Sequence, residues 1–319
     1  MTPQMPTRSW LLPVLATGAL ALVLTAQVLL GPAFTSSGRF QAWQAVLVSI
    51  VLQAMPFLVL GTLISSALLT RAPARVLQRF TPSSPALAVP AAALWGVALP
   101  ACECASVPVS QTLLRKGLPP SAALTFLLAS PAINPVVIAA TFVAFPDRPA
   151  MAAARFTASL LAAVLVGWLW LRVGRNAPPA MRQRPHNHGH SFADAFISDF
   201  TQASGFLVLG AMVAAAIKVT VAPTVFLSWA NYAWALIALM AALAVVMSLC
   251  SEADAFVAAS FVTVPPTAQL VFLVVGPMVD IKLFAMQSGA FGTRFAARFM
   301  SLTLLVCVAV ASMVGWLFF

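Results

Sequence analysis

Long apolar runs, interrupted at wide intervals by single charges, dominate the chain. Uncharged stretches lie between Arg8 and Arg39, Arg39 and Arg71, Lys116 and Asp147, Lys218 and Glu252, and Asp254 and Asp280. Each is longer than the about 20 residues that a helix needs to cross a bilayer. Shorter uncharged runs from Phe156 to Leu171 and from Phe200 to Ile217, with the final stretch from Phe299, bring the number to about eight to ten hydrophobic segments. None shows the alternating polar face of a barrel strand. The pattern therefore predicts an all-α, polytopic membrane protein. The first run, Trp10 to Leu30, exceeds the roughly 7–15 apolar residues of a signal-peptide core and reads as a retained anchor helix.

Composition agrees with the pattern. Of 319 residues, 61% are hydrophobic and 8% are charged, against about 25% charged in soluble domains. A net charge of +10 would suggest nucleic acid in a soluble chain. Here most Lys and Arg stand in short loops beside apolar runs, where they act as topology determinants, so no nucleic-acid partner is expected. Four cysteines inside apolar segments do not form a secreted disulfide framework.

An internal repeat organises the chain. QAMPFLVLG at Gln53–Gly61 returns as QASGFLVLG at Gln202–Gly210, an offset of 149. PPSAALTFLLASPAIN at Pro119–Asn134 returns as PPTAQLVFLVVGPMVD at Pro265–Asp280, an offset of 146. Between these matches, ACECA around Cys102 stands opposite LCSEADA around Cys250. The expected organisation is an anchor over residues 1–40, a first membrane repeat over 41–173, a polar linker over 174–192 and a second repeat over 193–319.

The distribution of positive charge bears on topology. If residues 85–115 form a hairpin that enters and leaves on one side, twelve Lys and Arg share the side of the linker and four, Arg39, Arg148, Arg155 and Lys218, lie opposite. A full crossing there places the Arg71 cluster and the linker on opposite sides. The positive-inside rule favours the hairpin, a cytoplasmic linker and a cytoplasmic N-terminus. Each repeat then crosses an odd number of times and the two are inverted, with broken-helix hairpin tips meeting near the midplane. Plain kinked crossings are the alternative.

Candidate chemistry follows from polar groups that lipid would exclude. Glu103, Glu252, Asp254 and Asp280 lie in apolar surroundings, at about 2.5–3.5 kcal/mol each if turned to lipid. Asp147, Asp194 and Asp199 fall at loops or helix ends. Lys282 is the nearby cation, expected to balance a carboxylate from another segment because spacing i, i+2 keeps it off the helical face of Asp280. In PACECASVP, Cys102 and Cys104 share a ligand only if the helix is broken, a break that Pro100 and Pro108 supply. Ser106 followed by Pro108 resembles a helix start. Ser130 with Pro131, Asn134 with Pro135, and Gly276–Pro277 with Asp280 mark further breaks of the kind that line polar cavities. Asn134 and Asp280 occupy equivalent repeat positions. The histidines at His186, His188 and His190 lie in the linker and are a weak metal signal.

No phosphate-binding loop and no H-E-x-x-H occurs, and the histidines stand outside the apolar segments. The pattern predicts no enzyme and no resident cofactor. Thiols beside carboxylates suit a soft cation or a metalloid, with Cys102, Cys104 and Glu103 as tentative metal ligands.

PACECASVPVSQTLLRKGLPPSAALTFLLASPAINPVV, with the later CSEADAFVAASF, resembles the predicted permease family that includes the bacterial organoarsenical efflux permease. The resemblance covers roughly residues 40–319. It implies a multi-pass permease of the bacterial plasma membrane, some members exporting trivalent organoarsenicals and others working with a second membrane subunit. Carried over by position, Cys102, Cys104 and Cys250 are the thiols open to such a substrate. The expectation is thus a secondary transporter for a soft cation or metalloid. Its candidate site comprises Cys102, Glu103, Cys104, Cys250, Glu252, Asp254, Ser130, Asn134 and Asp280. The competing expectation is a non-transporting membrane subunit, a redox sensor or scaffold. The lipid bilayer, a small solute and a second membrane subunit are the partners considered.

Overall fold

The computed structural model describes residues 38–71, 82, 84–98, 102–173, 192–220 and 233–319. The anchor run Trp10–Leu30, Pro100 and the histidines of the linker lie outside the described residues, as does the Lys218 side chain.

Twelve helices and no strand are found among the described residues. They are α1 (Gly38–Arg71), α2 (Pro85–Ala98), α3 (Glu103–Arg115), α4 (Pro120–Ala132), α5 (Pro135–Ala144), α6 (Ala150–Val173), α7 (Phe192–Thr220), α8 (Ala233–Met247), α9 (Asp254–Ser260), α10 (Pro266–Val275), α11 (Ile281–Phe291) and α12 (Thr293–Phe318). Among the described residues, five spans are long and apolar enough to cross a membrane: Phe40–Arg71, Pro120–Ala144, Ala150–Arg172, Phe192–Ile217 and Thr293–Phe318. The chain is an all-α, multi-pass membrane protein.

Proline sets several boundaries. It opens α4 and α10 after a preceding proline, and opens α5 after Asn134, where its missing N–H is one that the first turn leaves unpaired. The breaks after Ala132 and Val275 are completed by side chains. Asn134 Oδ1 accepts from Val137 N at 2.9 Å, and Asp280 Oδ1 accepts from Leu283 N at 2.5 Å. These matching caps satisfy backbone donors that a membrane interior leaves without water.

Helix directions follow from close contacts. α1 and α7 run antiparallel, with Trp43 Nε1 donating to the Met212 carbonyl at one end and Arg71 over the Phe192 ring at the other. Near Gly167 of α6, Val89 of α2 and Thr125 of α4 come together, while Gly96 of α2 abuts Ser130 and Ala129 of α4. α2 and α4 therefore run in the same direction. The four-residue connection after Arg115 turns α3 back along α4, so α2 and α3 approach and depart at the same end of α4.

In the second half, Thr267 at the start of α10 meets Gly315 near the end of α12. The start of α12 meets the end of α6 through Trp170 packed edge-on against Phe295 and Phe299. α10 thus starts at the end of the molecule remote from Val173. Trp234 of α8 shares a cavity wall with Pro265 and Trp316 at that remote end, whereas Ser248, just past α8, bonds to Ile281 in the interior.

Candidate functional site

The turn between α2 and α3 and the turn between α8 and α9 meet in the interior. At the first, Cys102 has extended backbone (φ −71°, ψ 172°) and its carbonyl accepts from Ala105 N and Ser106 N. The helix consequently begins at Glu103, three residues before the Ser106 start expected from sequence. Ser106 instead donates back to the Glu103 carbonyl at 3.0 Å, and Pro108 lies inside α3, depriving the Cys104 carbonyl of its helical donor. Because Cys102 stands off the helix, the i, i+2 opposition that a regular helix imposes does not separate its side chain from that of Cys104. The required break is present, placed one residue before the helix.

The second turn is built differently. Ser248 adopts a positive φ of 44°, a strained conformation for a residue with a Cβ. Its hydroxyl accepts from Ile281 N at 3.2 Å, tying the turn to the start of α11. The Cys250 carbonyl then accepts from Ala253 N and Asp254 N, which start α9.

Two buried ion-pair groups join the turns to the rest of the molecule. Lys282 Nζ donates to Glu103 Oε1 at 2.6 Å and to the Leu249 carbonyl at 3.3 Å, with Asp280 Oδ2 at 3.4 Å. Ser251 Oγ lies 3.5 Å from Glu103 Oε2. Glu103 is balanced by a cation from another segment, as expected. The sequence argument separating Lys282 from Asp280 fails because Asp280 caps α11 from extended backbone (φ −143°, ψ 170°), where helical spacing does not apply.

The second group centres on Arg155. It was expected on the side opposite the linker as a topology charge, but is fully buried. Its guanidinium donates to Asp254 Oδ2 at 2.8 Å, to Thr141 Oγ1 at 2.8 Å and to the Ser251 carbonyl at 3.2 Å. The signal was its position within the apolar run of α6, which charge counting alone assigned to a loop. Asp254 Oδ1, Asp280 Oδ2 and Arg155 Nε are buried without a hydrogen-bond partner.

Of the other predicted site residues, Ser130 is buried beside Gly96 at the α2–α4 contact and Asn134 caps α5. Glu252 is half-buried in the second turn. Among the described residues, no three of His, Cys, Asp and Glu converge to hold a metal ion. The tentative Cys102–Glu103–Cys104 ligand set is accordingly not assembled, since Glu103 is turned to Lys282 and leaves two thiols. All four cysteines are free.

A cavity of about 310 Å³ leads to this layer. Ala45, Ser49 and Gln53 of α1 form one wall, and Ser248, Cys250 and Lys282 form its inner end. These α1 residues lie toward the end remote from the linker. Toward the linker side, polar side chains of the described residues meet one another. Ser65 Oγ contacts Thr112 Oγ1 at 2.7 Å and donates to Asp199 Oδ2 at 3.2 Å, while Gln111 and Gln202 donate to the Ala290 and Gly289 carbonyls. The void beside them is about 10 Å³, room for roughly one water. Asp199, placed by sequence at a helix end, is buried among α1, α3 and α7, with Arg115 3.9 Å away.

The family description "Predicted permease" (ArsP_1) matches residues 39–316. The chain belongs to this predicted permease family. It is 32% identical over 291 residues to the UPF0718 protein YcgR of Bacillus subtilis, covering 87% of this chain and 97% of the relative. It is 30% identical over 283 residues to a protein of Streptococcus mutans named "Putative two-component membrane permease complex subunit", covering 85% and 94%. No solved structure matches the chain significantly. Membership indicates a transport protein of the membrane in preference to an enzyme.

Proposed function

We propose that this permease is a secondary transporter moving a soft cation or metalloid, such as a metal ion or an organoarsenical, by alternating access of two inverted repeats. Its polar linker and N-terminus face the cytoplasm of a bacterial plasma membrane, and efflux is the direction the family resemblance favours. The first repeat spans α1–α6 and the second α7–α12, each with a broken hairpin whose tip reaches the interior. Opposite hairpin directions and the paired Asn134 and Asp280 caps support the inversion.

The observation that carries the reading is the cavity lined by Cys250 and Lys282, the latter paired with the buried Glu103. An arriving soft cation meets the Cys250 thiol first and then, behind the Glu103–Lys282 pair, the neighbouring Cys102 and Cys104. Glu103, Glu252, Asp254 and Asp280 supply the negative charge that offsets desolvation of a cation. Ser130, buried at the α2–α4 contact, and Asn134, at the α5 cap, are the further polar groups assigned to the path on the first-repeat side.

Transport by purified protein in liposomes tests this. Replacing Cys102 and Cys104 by Ser abolishes flux at unchanged membrane abundance; flux at the normal rate removes the two thiols from the mechanism. The name of the Streptococcus relative favours a second reading, a subunit that does not transport alone. Counterflow without a partner separates the two, because a sensor or scaffold gives none.

A further inference from the structure

α8, α10 and α12 leave between them an apolar groove of about 1310 Å³. Ala238, Ala241 and Ala242 of α8 and Ala309 of α12 form small-residue walls. Trp234 and Trp316, 81% and 84% exposed, stand at the end remote from the linker, where indole rings suit a membrane surface. In lipid the hydrophobic effect does not close such a groove, because acyl chains are as apolar as the side chains that line it. Its occupant is selected instead by close packing against small residues and by hydrogen bonds. Ser312 Oγ, in the groove wall, is buried with no hydrogen-bond partner among the described residues. An acyl chain leaves that hydroxyl unpaired, whereas a helix carrying a hydroxyl of its own satisfies it.

The chain supplies such a helix in the anchor expected over Trp10–Leu30. At helical spacing Thr17, Ala21 and Thr25 share one face, with Gly18 beside them, and small residues of this kind let helices approach closely. Reach fixes the anchor's direction. α1 starts at Gly38, at the remote end, and the eight Cα steps from Leu30 to Gly38 span at most about 28 Å. That is too short to recross a hydrocarbon core of about 30 Å. Leu30 therefore belongs to the remote side, and the anchor runs parallel to α12. Thr25 then stands five residues, about 7.5 Å, before the anchor's remote end, and Ser312 stands six residues, about 9 Å, before Phe318 at the end of α12. The two hydroxyls come to the same depth.

We propose that the anchor Trp10–Leu30 packs into this groove with its Thr17, Ala21 and Thr25 face against α8 and α12, Thr25 pairing with Ser312. The anchor is joined to α1 of the first half and docks on helices of the second, so it straps the two halves together. The groove shares no lining residue with the cavity at Cys250 and Lys282, and the strap stands whether or not that cavity takes a cation.

Disulfide trapping of the full-length chain in its membrane tests this. Thr25→Cys/Ser312→Cys is oxidised with copper phenanthroline, denatured, and its remaining thiols are counted with a mass-tagged maleimide. The four native cysteines are free, so the reduced variant carries six reactive thiols. The expected result is a fall from six to four at monomer mass. Gln27→Cys/Ser312→Cys, with its anchor cysteine turned about 200° from Thr25, keeps six. If altering Ser312 impairs folding, Ala21→Cys/Ala309→Cys repeats the measurement about one turn nearer the linker. Six thiols retained by both groove-facing pairs, or equal trapping of Q27C/S312C, overturns the proposal and leaves the groove to lipid. Trapping at dimer mass overturns it as well and assigns the groove to a second copy of the chain.

Discussion

Gly61 and Gly210 end the same repeated motif, yet they face different partners. A Cβ on Gly61 would stand 2.5 Å from the Ala105 Cα of α3, and one on Gly210 would stand 2.7 Å from the Lys282 Cα of α11. The motif helices α1 and α7 thus press on non-equivalent elements, the returning arm of one hairpin and the helix after the break of the other half. Their flanking glutamines differ likewise. Gln202 donates to the Gly289 carbonyl, whereas Gln53 lines the open cavity. Equivalent sequence therefore stands in two environments, one glutamine held by a carbonyl and the other at a cavity wall.

The turns between hairpin arms carry the same contrast. After the first, Cys102, Glu103 and Cys104 are all buried. The second bears the strained Ser248 and borders the cavity. Each is held by a cation on the far half, Lys282 for Glu103 and Arg155 for Asp254, at positions that the repeat does not relate.

The largest effect in this comparison belongs to Arg155. Arg155→Met leaves Asp254 buried without its cation and lowers stability by about 3–5 kcal/mol, read as a fall in the detergent melting temperature. Adding Asp254→Asn recovers most of the loss, and an unaltered melting temperature in R155M removes the pair from the fold's support. Next come Gly61→Ala and Gly210→Ala. Each drives a methyl against backbone and costs about 1–3 kcal/mol. Equal stability of either variant with wild type would show that the motif helix does not approach its partner so closely. The smallest is Asn134→Ala, which removes the α5 cap for about 1 kcal/mol, whereas Asn134→Asp retains an acceptor for the Val137 amide. Identical melting of both variants would show that the cap contributes nothing.

Much of the architecture was legible along the chain because a bilayer interior admits few solutions: apolar runs of sufficient length become helices, and prolines break them. The breaks at Asn134 and before Asp280 and the break at Cys102 were readable as local chemistry, and Lys282 was expected to meet a carboxylate from another segment, but which one was not readable. Three features were decided only by tertiary structure. Arg155 resembles a loop charge until α6 packs against α5 and the second turn. Asp199 belongs to a helix end in sequence but to a sealed polar cluster once α1, α3 and α7 converge. Asp280 reaches Lys282 because a cap residue leaves helical geometry. Sequence determines which groups water must not abandon. Which opposite charge meets each of them depends on contacts between residues 99 to 179 positions apart, and no local pattern encodes that.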